Sequence, residues 1–329
     1  MKVCIYGAGA IGGYIGASLA LAGVARVSAV ARGATLQALR SHGWRLRGSQ
    51  GEQHVAATAS DDPGALGVQD LVVVAVKGPA MAEVARRIAP LLGRDTVVLP
   101  AMNGVPWWFG SDLPALGSEP LASVDPGGVI ARAIPLKHVI GCVVHIAAAT
   151  PEPALVEHKM GRGLIIGEPD GSDSARLRSL SGLLAEAGFE VTASPRIRND
   201  VWFKLWGNLT TNPVSALTGA TADRIVDDPL VRAFCVAAMS EAAAIGARIG
   251  CEVKQTPEER HAVTRKLGAF KTSMLQDVEA GRPLELDAIV GAVREIGQRV
   301  GIATPNIDAL LGLTRLFARV QGLYPEATG

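Results

Sequence analysis

No run of five or more basic residues occurs in this 329-residue chain, and its net charge is only +1. Nucleic-acid binders carry a concentrated basic surface, so that class is set aside, and a small neutral or anionic ligand fits better. Cysteine is scarce and scattered: Cys4, Cys142, Cys235 and Cys251 form no C-x-x-C pair. Neither a zinc knuckle nor a dithiol redox site can be built on that spacing, and the four read as reduced core thiols of a cytoplasmic protein. His145, inside the apolar GCVVHIAA, has no second histidine or carboxylate at ligand spacing. It reads as a core or cleft residue, and no metal is expected. The apolar strand pattern begins directly after Met1-Lys2, leaving no room for a secretory signal. The longest apolar run, Ala233 to Gly250, is broken by Glu241 and Arg248, so no membrane span is expected. Internal repeats and low-complexity tracts are absent as well.

What the chain has is core. Hydrophobic residues make up 48% and charged ones 19%, and 329 residues exceed what one hydrophobic core serves, so two domains are expected. In the first part, short apolar runs alternate with helical spacing. VCIY (3–6), RVSAVAR (26–32), LVVVAVK (71–77) and TVVLPA (96–101) read as strands. The last two are so continuously apolar that both faces must be buried, as in a parallel sheet. Helices are expected over 11–23, 35–43 and 79–93. That order predicts a doubly wound α/β domain. Residues 141–193 are strand-rich (GCVVHIAA, ALVEH, GLIIG, FEVTA). Beyond Arg196 only helical spacing is found, over 197–211, 229–250, 257–278, 284–300 and 305–320. The expected division is a Rossmann-type domain over 1–194 and an all-helical domain over 195–329, with the break at TASPR.

The sharpest motif is GAGAIG, Gly7 to Gly12, between the first strand and the first helix. Gly7 permits a tight turn, Gly9 lets a pyrophosphate approach the backbone, and Gly12 lets the helix pack close to the sheet. Free N–H groups and the dipole of the helix start then hold the phosphates, which makes Gly7, Ala8, Gly9, Ala10, Ile11 and Gly12 the expected cofactor loop. Where an NAD site usually offers a carboxylate to the ribose, at the end of the second strand, this chain has Ala31-Arg32-Gly33. An arginine there can pair with a 2′-phosphate and no carboxylate is present to repel one, so NADP is expected rather than NAD. Lys77 and Asn103 stand at two further strand ends, on the rim where such sheets bind ligands. Lys77 could instead be a strand-end lysine with its head in water, and Asn103-Gly104 only a turn.

In VWFKLWGNLTTNP (201–213) a lysine sits among two tryptophans, a phenylalanine, a leucine and a valine. On a helix, Lys204, Asn208 and Asn212 share one face. A lysine so placed can snorkel its head to water, or it can stabilise and protonate a developing alkoxide. Glu285, in RPLELDAIVG, could merely complement the start of a helix, as could Asp287. Ser273 could be a helical hydroxyl bonded back to a carbonyl. Trp107 and Trp108 are expected in the core or, alternatively, in the wall of an aromatic pocket.

Taken together, GAGAIGG, AVK (75–77), MNG (102–104), KLWGNLTTNPVSALTG from Lys204 and KTSMLQDVEAGRPLELDAIVG from Lys271 resemble the ketopantoate reductases. The resemblance runs from residue 1 to about 320. It implies NADPH-dependent reduction of 2-dehydropantoate to (R)-pantoate for coenzyme A synthesis, a Rossmann domain, a helical domain and a homodimer through the latter. It further implies Lys204 as general acid, with Glu285 as a substrate-binding member of the catalytic set. Asn208 and Asn212 fall on the substrate side and Ser273 on the substrate carboxylate. Lys77 and Asn103 fall beside the nicotinamide end of the cofactor, and Arg32 on the 2′-phosphate. The loop LTGATADR (217–224) lacks an asparagine that pantoate-forming members usually carry there. Another 2-oxo acid or related ketone therefore stands as the alternative substrate, and a non-catalytic NADP-binding sensor as the alternative of another class.

Overall fold

The apolar runs near the start of the chain are strands of one parallel sheet. The computed structural model describes residues 1–49 and 51–326. Its strands are β1 (Lys2–Tyr6), β2 (Arg26–Val30), β3 (Trp44–Gly48), β4 (Gly51–Val55), β5 (Thr58–Ser60), β6 (Gln69–Val74), β7 (Leu92–Pro100), β8 (Gly141–Glu152), β9 (Leu155–Gly167) and β10 (Glu190–Ala193). Five of them form a parallel sheet in the order β5-β2-β1-β6-β7. Val3 pairs with Val27 on one side and with Leu71 on the other, and Val3, Ile5, Val73 and Leu99 are fully buried. Burial of both faces is why these runs are continuously apolar rather than alternating.

A second sheet is built around β9. Along one edge β8 runs antiparallel to it; β3 and β10 pair parallel with opposite ends of the other edge, and β3 carries β4 antiparallel. Sequence periodicity gives no warning of β3, β4 and β5: β4 is exposed at four of its five positions, so no apolar alternation marks it.

The helices of this part are α1 (Ala10–Leu21), α2 (Gly33–His42), α3 (Met81–Arg87), α4 (Val129–Ala133) and α5 (Ala175–Glu186). The last interrupts the stretch expected to be strand-rich, and it buries Leu177, Leu180, Leu183 and Leu184 along one face. Between the two sheets lies α1, which touches β1 and β2 of the first and β3, β4, β8 and β9 of the second. A helix with sheet on both sides must be apolar all round and slender, and α1 is both. A Cβ on Gly13 would come within 2.6 Å of Val156 Cγ2, and one on Gly16 within 2.6 Å of Trp44 Cη2.

Among the described residues no strand follows Arg196. The helices there are α6 (Ile197–Thr218), α7 (Ala222–Asp227), α8 (Pro229–Arg248), α9 (Pro257–Arg265), α10 (Ser273–Glu279), α11 (Ala292–Arg299) and α12 (Pro305–Val320), with a π-helical turn at Asp287–Gly291 leading into α11. The helix expected over 257–278 is two, α9 and α10, with Gly268 at φ +62° between them. Helix α6 runs on through Pro213 to Thr218, although proline removes one intrahelical hydrogen bond. By length and composition alone α8 could cross a bilayer. It packs instead against α7, α9, α11 and α12, and its Glu241 accepts hydrogen bonds from the Asn306 amide and the Asn306 and Ile307 N–H groups.

The chain forms two compact units, Met1–Asn103 with Val129–Asp200, and Gly104–Gly128 with the chain from Val201 onward. Two details differ from a division at 194/195. The first turn of α6 stays with the first unit, where Ser194 Oγ donates to the Asp200 carboxylate and Arg198 to Pro169 O. Residues 104–128, expected in the first domain, pack with the helices. There Glu295 on α11 accepts from the Ala122 and Ser123 N–H groups at 2.9 and 2.8 Å. Arg299, one turn on, donates to the carbonyls of Leu116, Glu119 and Pro120. Those bonds join residues more than 170 positions apart, which no local pattern encodes.

Candidate active site

The glycine-rich turn after β1 shapes a recess of about 210 Å³ in the first unit. Its walls are the ends of β1 and β2 (Tyr6, Ala31, Arg32), the turn Gly7–Ala8–Gly9, Val76, and one side of α3 with Glu83 and Arg87. Strand order reverses between β1 and β6, so this is the crevice at the switch point where doubly wound sheets take ligands. Gly7 has φ +97°, and its N–H donates to Val30 O at 3.1 Å. Nothing lies within 4 Å of where a Gly9 Cβ would stand, so that side of the turn is open. Gly12 packs inward, with its missing Cβ 2.1 Å from Gly7 O.

Fit to a dinucleotide phosphate rests on the start of α1. No side chain caps it and no acidic residue occupies its first turn, which holds Ala10 and Ile11. Ser174, Asp228, Thr256 and Thr272 do cap α5, α8, α9 and α10. The N–H groups at the head of α1 are thus left for an anion, and the helix dipole favours one.

Arg32 follows β2 at the N-cap of α2. One expectation about its surroundings is corrected. A carboxylate does stand at this rim: Glu83 of α3 accepts from Arg32 Nη1 at 2.6 Å, with Arg87 Nη1 at 3.7 Å from the same oxygen. Glu83 is 51 positions from Arg32, so the sequence around the strand end does not contain it. Its signal was available in the helical spacing of PAMAEVARRIAPLLG, the helix after β6, whose first turns must face the same edge of the sheet. Lys77 lies three residues beyond the end of β6, and Asn103 shortly beyond β7, both half-buried and outside the lining of the recess.

In the second unit, α6 explains why a lysine sits in so apolar a run. Trp202, Leu205, Trp206 and Leu209 are buried on its other sides, with Trp206 Nε1 donating to Met239 O at 2.8 Å. Lys204 and Asn208 are half-buried on the face they share with Asn212, which is 5% exposed. Asn212 Nδ2 is buried with no hydrogen-bond partner among the described residues. Buried amides are normally satisfied, so an orphan sets this face apart from an ordinary packed one. Sequence reasoning missed Arg260 on α9. Its guanidinium lies over the Phe203 ring at 5.8 Å and against Gly207, and burial lowers its pKa from the usual value.

Ser273 is the exposed first residue of α10, directly after the capping Thr272, whose Oγ1 accepts from Leu275 N–H. Glu285 is half-buried between the buried Leu284 and Leu286 and precedes the π-turn. Such turns recur at functional sites. The neighbouring Asp287 is engaged elsewhere, accepting from Tyr324 Oη at 2.6 Å. Burial and then the Asp287 bond and charge push the Tyr324 hydroxyl up to about 12.

Two other expectations are settled by burial. His145 is exposed on β8, not a core residue, because the strand outruns its covered half: Gly141 to Val144 are buried and the rest is not. Trp107 and Trp108 are core, 4% and 1% exposed, beside Phe109, whose ring stacks on Trp202 at 5.9 Å.

The chain matches the family described as "Ketopantoate reductase PanE/ApbA" over residues 3–171, and the one described as "Ketopantoate reductase PanE/ApbA C terminal" over 196–318. A 2-dehydropantoate 2-reductase of Mesorhizobium japonicum is 44% identical over 326 residues, which cover 98% of this chain and all of that protein. A crystal structure of a ketopantoate reductase candidate from Ralstonia solanacearum is 57% identical, with a TM-score of 0.95, covering 98% of this chain and 99% of that one. D-mandelate dehydrogenase, solved with NADH and anilino(oxo)acetate, is 21% identical with a TM-score of 0.84, covering 98% and 100%; that likeness is one of fold. A parallel sheet with helices, followed by a helical unit, is the architecture of these structures too, and the chain belongs to the ketopantoate reductase family of oxidoreductases.

Proposed function

We propose that this chain reduces 2-dehydropantoate to pantoate with NADPH, and that Lys204 donates the proton. The observation that carries the chemistry is the face of α6, where Lys204 and Asn208 are half-buried above Asn212 with its orphaned amide. The substrate is taken from the Mesorhizobium japonicum relative, matched over its whole length.

The amides at the head of α1 and the open side of Gly9 would hold the pyrophosphate, and Arg32 the 2′-phosphate. A reduced nicotinamide held there would supply a hydride, two electrons and one hydrogen, for the ketone carbon. The Lys204 ammonium stabilises negative charge on the ketone oxygen and gives it the second hydrogen, leaving a neutral amine to be reprotonated from water. Asn208 and Asn212 orient the oxygen and its neighbours, Ser273 donates to the substrate carboxylate, and Glu285 keeps a negative charge in the site that favours the ammonium.

Loss of NADPH absorbance with the purified protein, followed across 2-dehydropantoate and other 2-oxo acids, tests the reading. The expected result is a kcat/KM for 2-dehydropantoate well above the rest. Faster turnover of another 2-oxo acid would reassign the substrate, and no turnover of any would leave a binding protein rather than an enzyme.

A further inference from the structure

At the rim of the nucleotide recess three charged side chains are joined. Arg32 Nη1 lies 2.6 Å from Glu83 Oε1, and Arg87, one turn along α3 from Glu83, lies 3.7 Å from the same oxygen. All three line the recess that Gly7 and Gly9 open, and the side chains of Arg32, Glu83 and Arg87 are 60%, 34% and 37% exposed. Nucleotide sites of this fold offer the ribose either a carboxylate, for two hydroxyls, or a cation, for a 2′-phosphate. This one holds both, paired with each other.

We propose that Glu83 is a specificity-determining residue of this recess: its carboxylate competes with the 2′-phosphate for Arg32 and so limits the preference for NADP over NAD. The inference rests on the proposed placement of the 2′-phosphate at Arg32. Arg32 is exposed enough to turn between the two anions. A phosphate bonded to Arg32 stands within a few ångströms of the Glu83 carboxylate, and like charges at that range repel. Arg87 softens the conflict, because it can keep Glu83 paired while Arg32 turns to the phosphate. When the ribose carries only hydroxyls, the same carboxylate accepts from them, held in place by both guanidinium groups. The cluster therefore serves either nucleotide, and its charge of +1 becomes +2 when Glu83 is neutralised.

Calorimetric titration with 2′,5′-ADP and with 5′-AMP tests this without substrate or nicotinamide. Glu83→Gln should bind 2′,5′-ADP about two- to tenfold more tightly than the unaltered protein does, the scale of one partly exposed charge interaction, and 5′-AMP no more tightly. Arg32→Ala is the second arm and should lose the preference for 2′,5′-ADP. If Arg32→Ala loses that preference while Glu83→Gln gains nothing, the competition is refuted and the placement of the phosphate stands. Equal losses of both probes in Arg32→Ala would refute the placement itself, and the inference with it.

Discussion

Gly16 of α1 and Trp44 of β3 are in contact so close that a Cβ on the glycine would lie 2.6 Å from Trp44 Cη2 and 2.8 Å from Cζ3. Ile5 Cγ1 would crowd it from the other side at 2.9 Å, and both neighbours are fully buried. Gly16→Ala should therefore destabilise the protein by about 1–3 kcal/mol, the cost of overpacking a core that cannot yield. Gly182→Ala, on the exposed side of α5 where nothing lies within 4 Å, should stabilise it by about 0.5–1 kcal/mol through helix propensity. Thermal or urea unfolding of the pair checks the opposite signs.

Glu295 couples the stability of the helical unit to pH. Burial alone would raise its pKa, but bonds from Ser123 Oγ, the Ser123 and Ala122 N–H groups and Arg299 outweigh it and hold the carboxyl below its ordinary value of 4.5. A carboxylate depressed on folding contributes stability in full above its unfolded pKa, and loses that contribution as pH falls through the lower folded value. Glu295→Gln should cost about 1–3 kcal/mol at pH 7, the scale of lost bonds to a charged group. The gap between variant and wild type in urea unfolding should hold down to about pH 5 and narrow below 4.5.

Ser273 stands exposed at the head of α10, where a hydroxyl can meet a substrate carboxylate. That group is bound alike in ground and transition states, so Ser273→Ala should raise KM for a 2-oxo acid more than it lowers kcat. Steady-state kinetics separate the two, and a loss confined to kcat would remove Ser273 from carboxylate binding.

What the sequence revealed and what it hid divide along sequence separation. The order of the first strands, the glycine turn and the stripe of Lys204, Asn208 and Asn212 were legible because each is written within a few residues by a periodicity. Gly13 and Gly16 follow directly on the motif, but their purpose is not written there. They continue the nucleotide motif in sequence, yet each leaves room for a side chain of the second sheet, Val156 or Trp44. The placement of residues 104–128 depends on Glu295 and Arg299, and the acid beside Arg32 arrives from α3. Such pairings are set by how the chain folds back on itself. A window of ten or twenty residues cannot contain them, and the polar edge strand β4 hides for the simpler reason that it buries almost nothing.

The central claim is that the ammonium on α6 is the proton donor, and kcat of Lys204→Ala tests it most directly. With 2-dehydropantoate and saturating NADPH the variant should lose about 10²–10⁴-fold in kcat, the usual worth of a positioned general acid. NADPH affinity, measured by quenching of protein fluorescence, should survive, because the nucleotide recess is lined wholly by residues of the other unit. In the unaltered enzyme kcat/KM for reduction should fall as rising pH removes the ammonium, while the oxidation of pantoate should need the neutral amine. A Lys204→Ala enzyme that keeps kcat within tenfold of the active wild type on the same substrate would contradict the account, and leave this face of α6 a packed wall without chemistry.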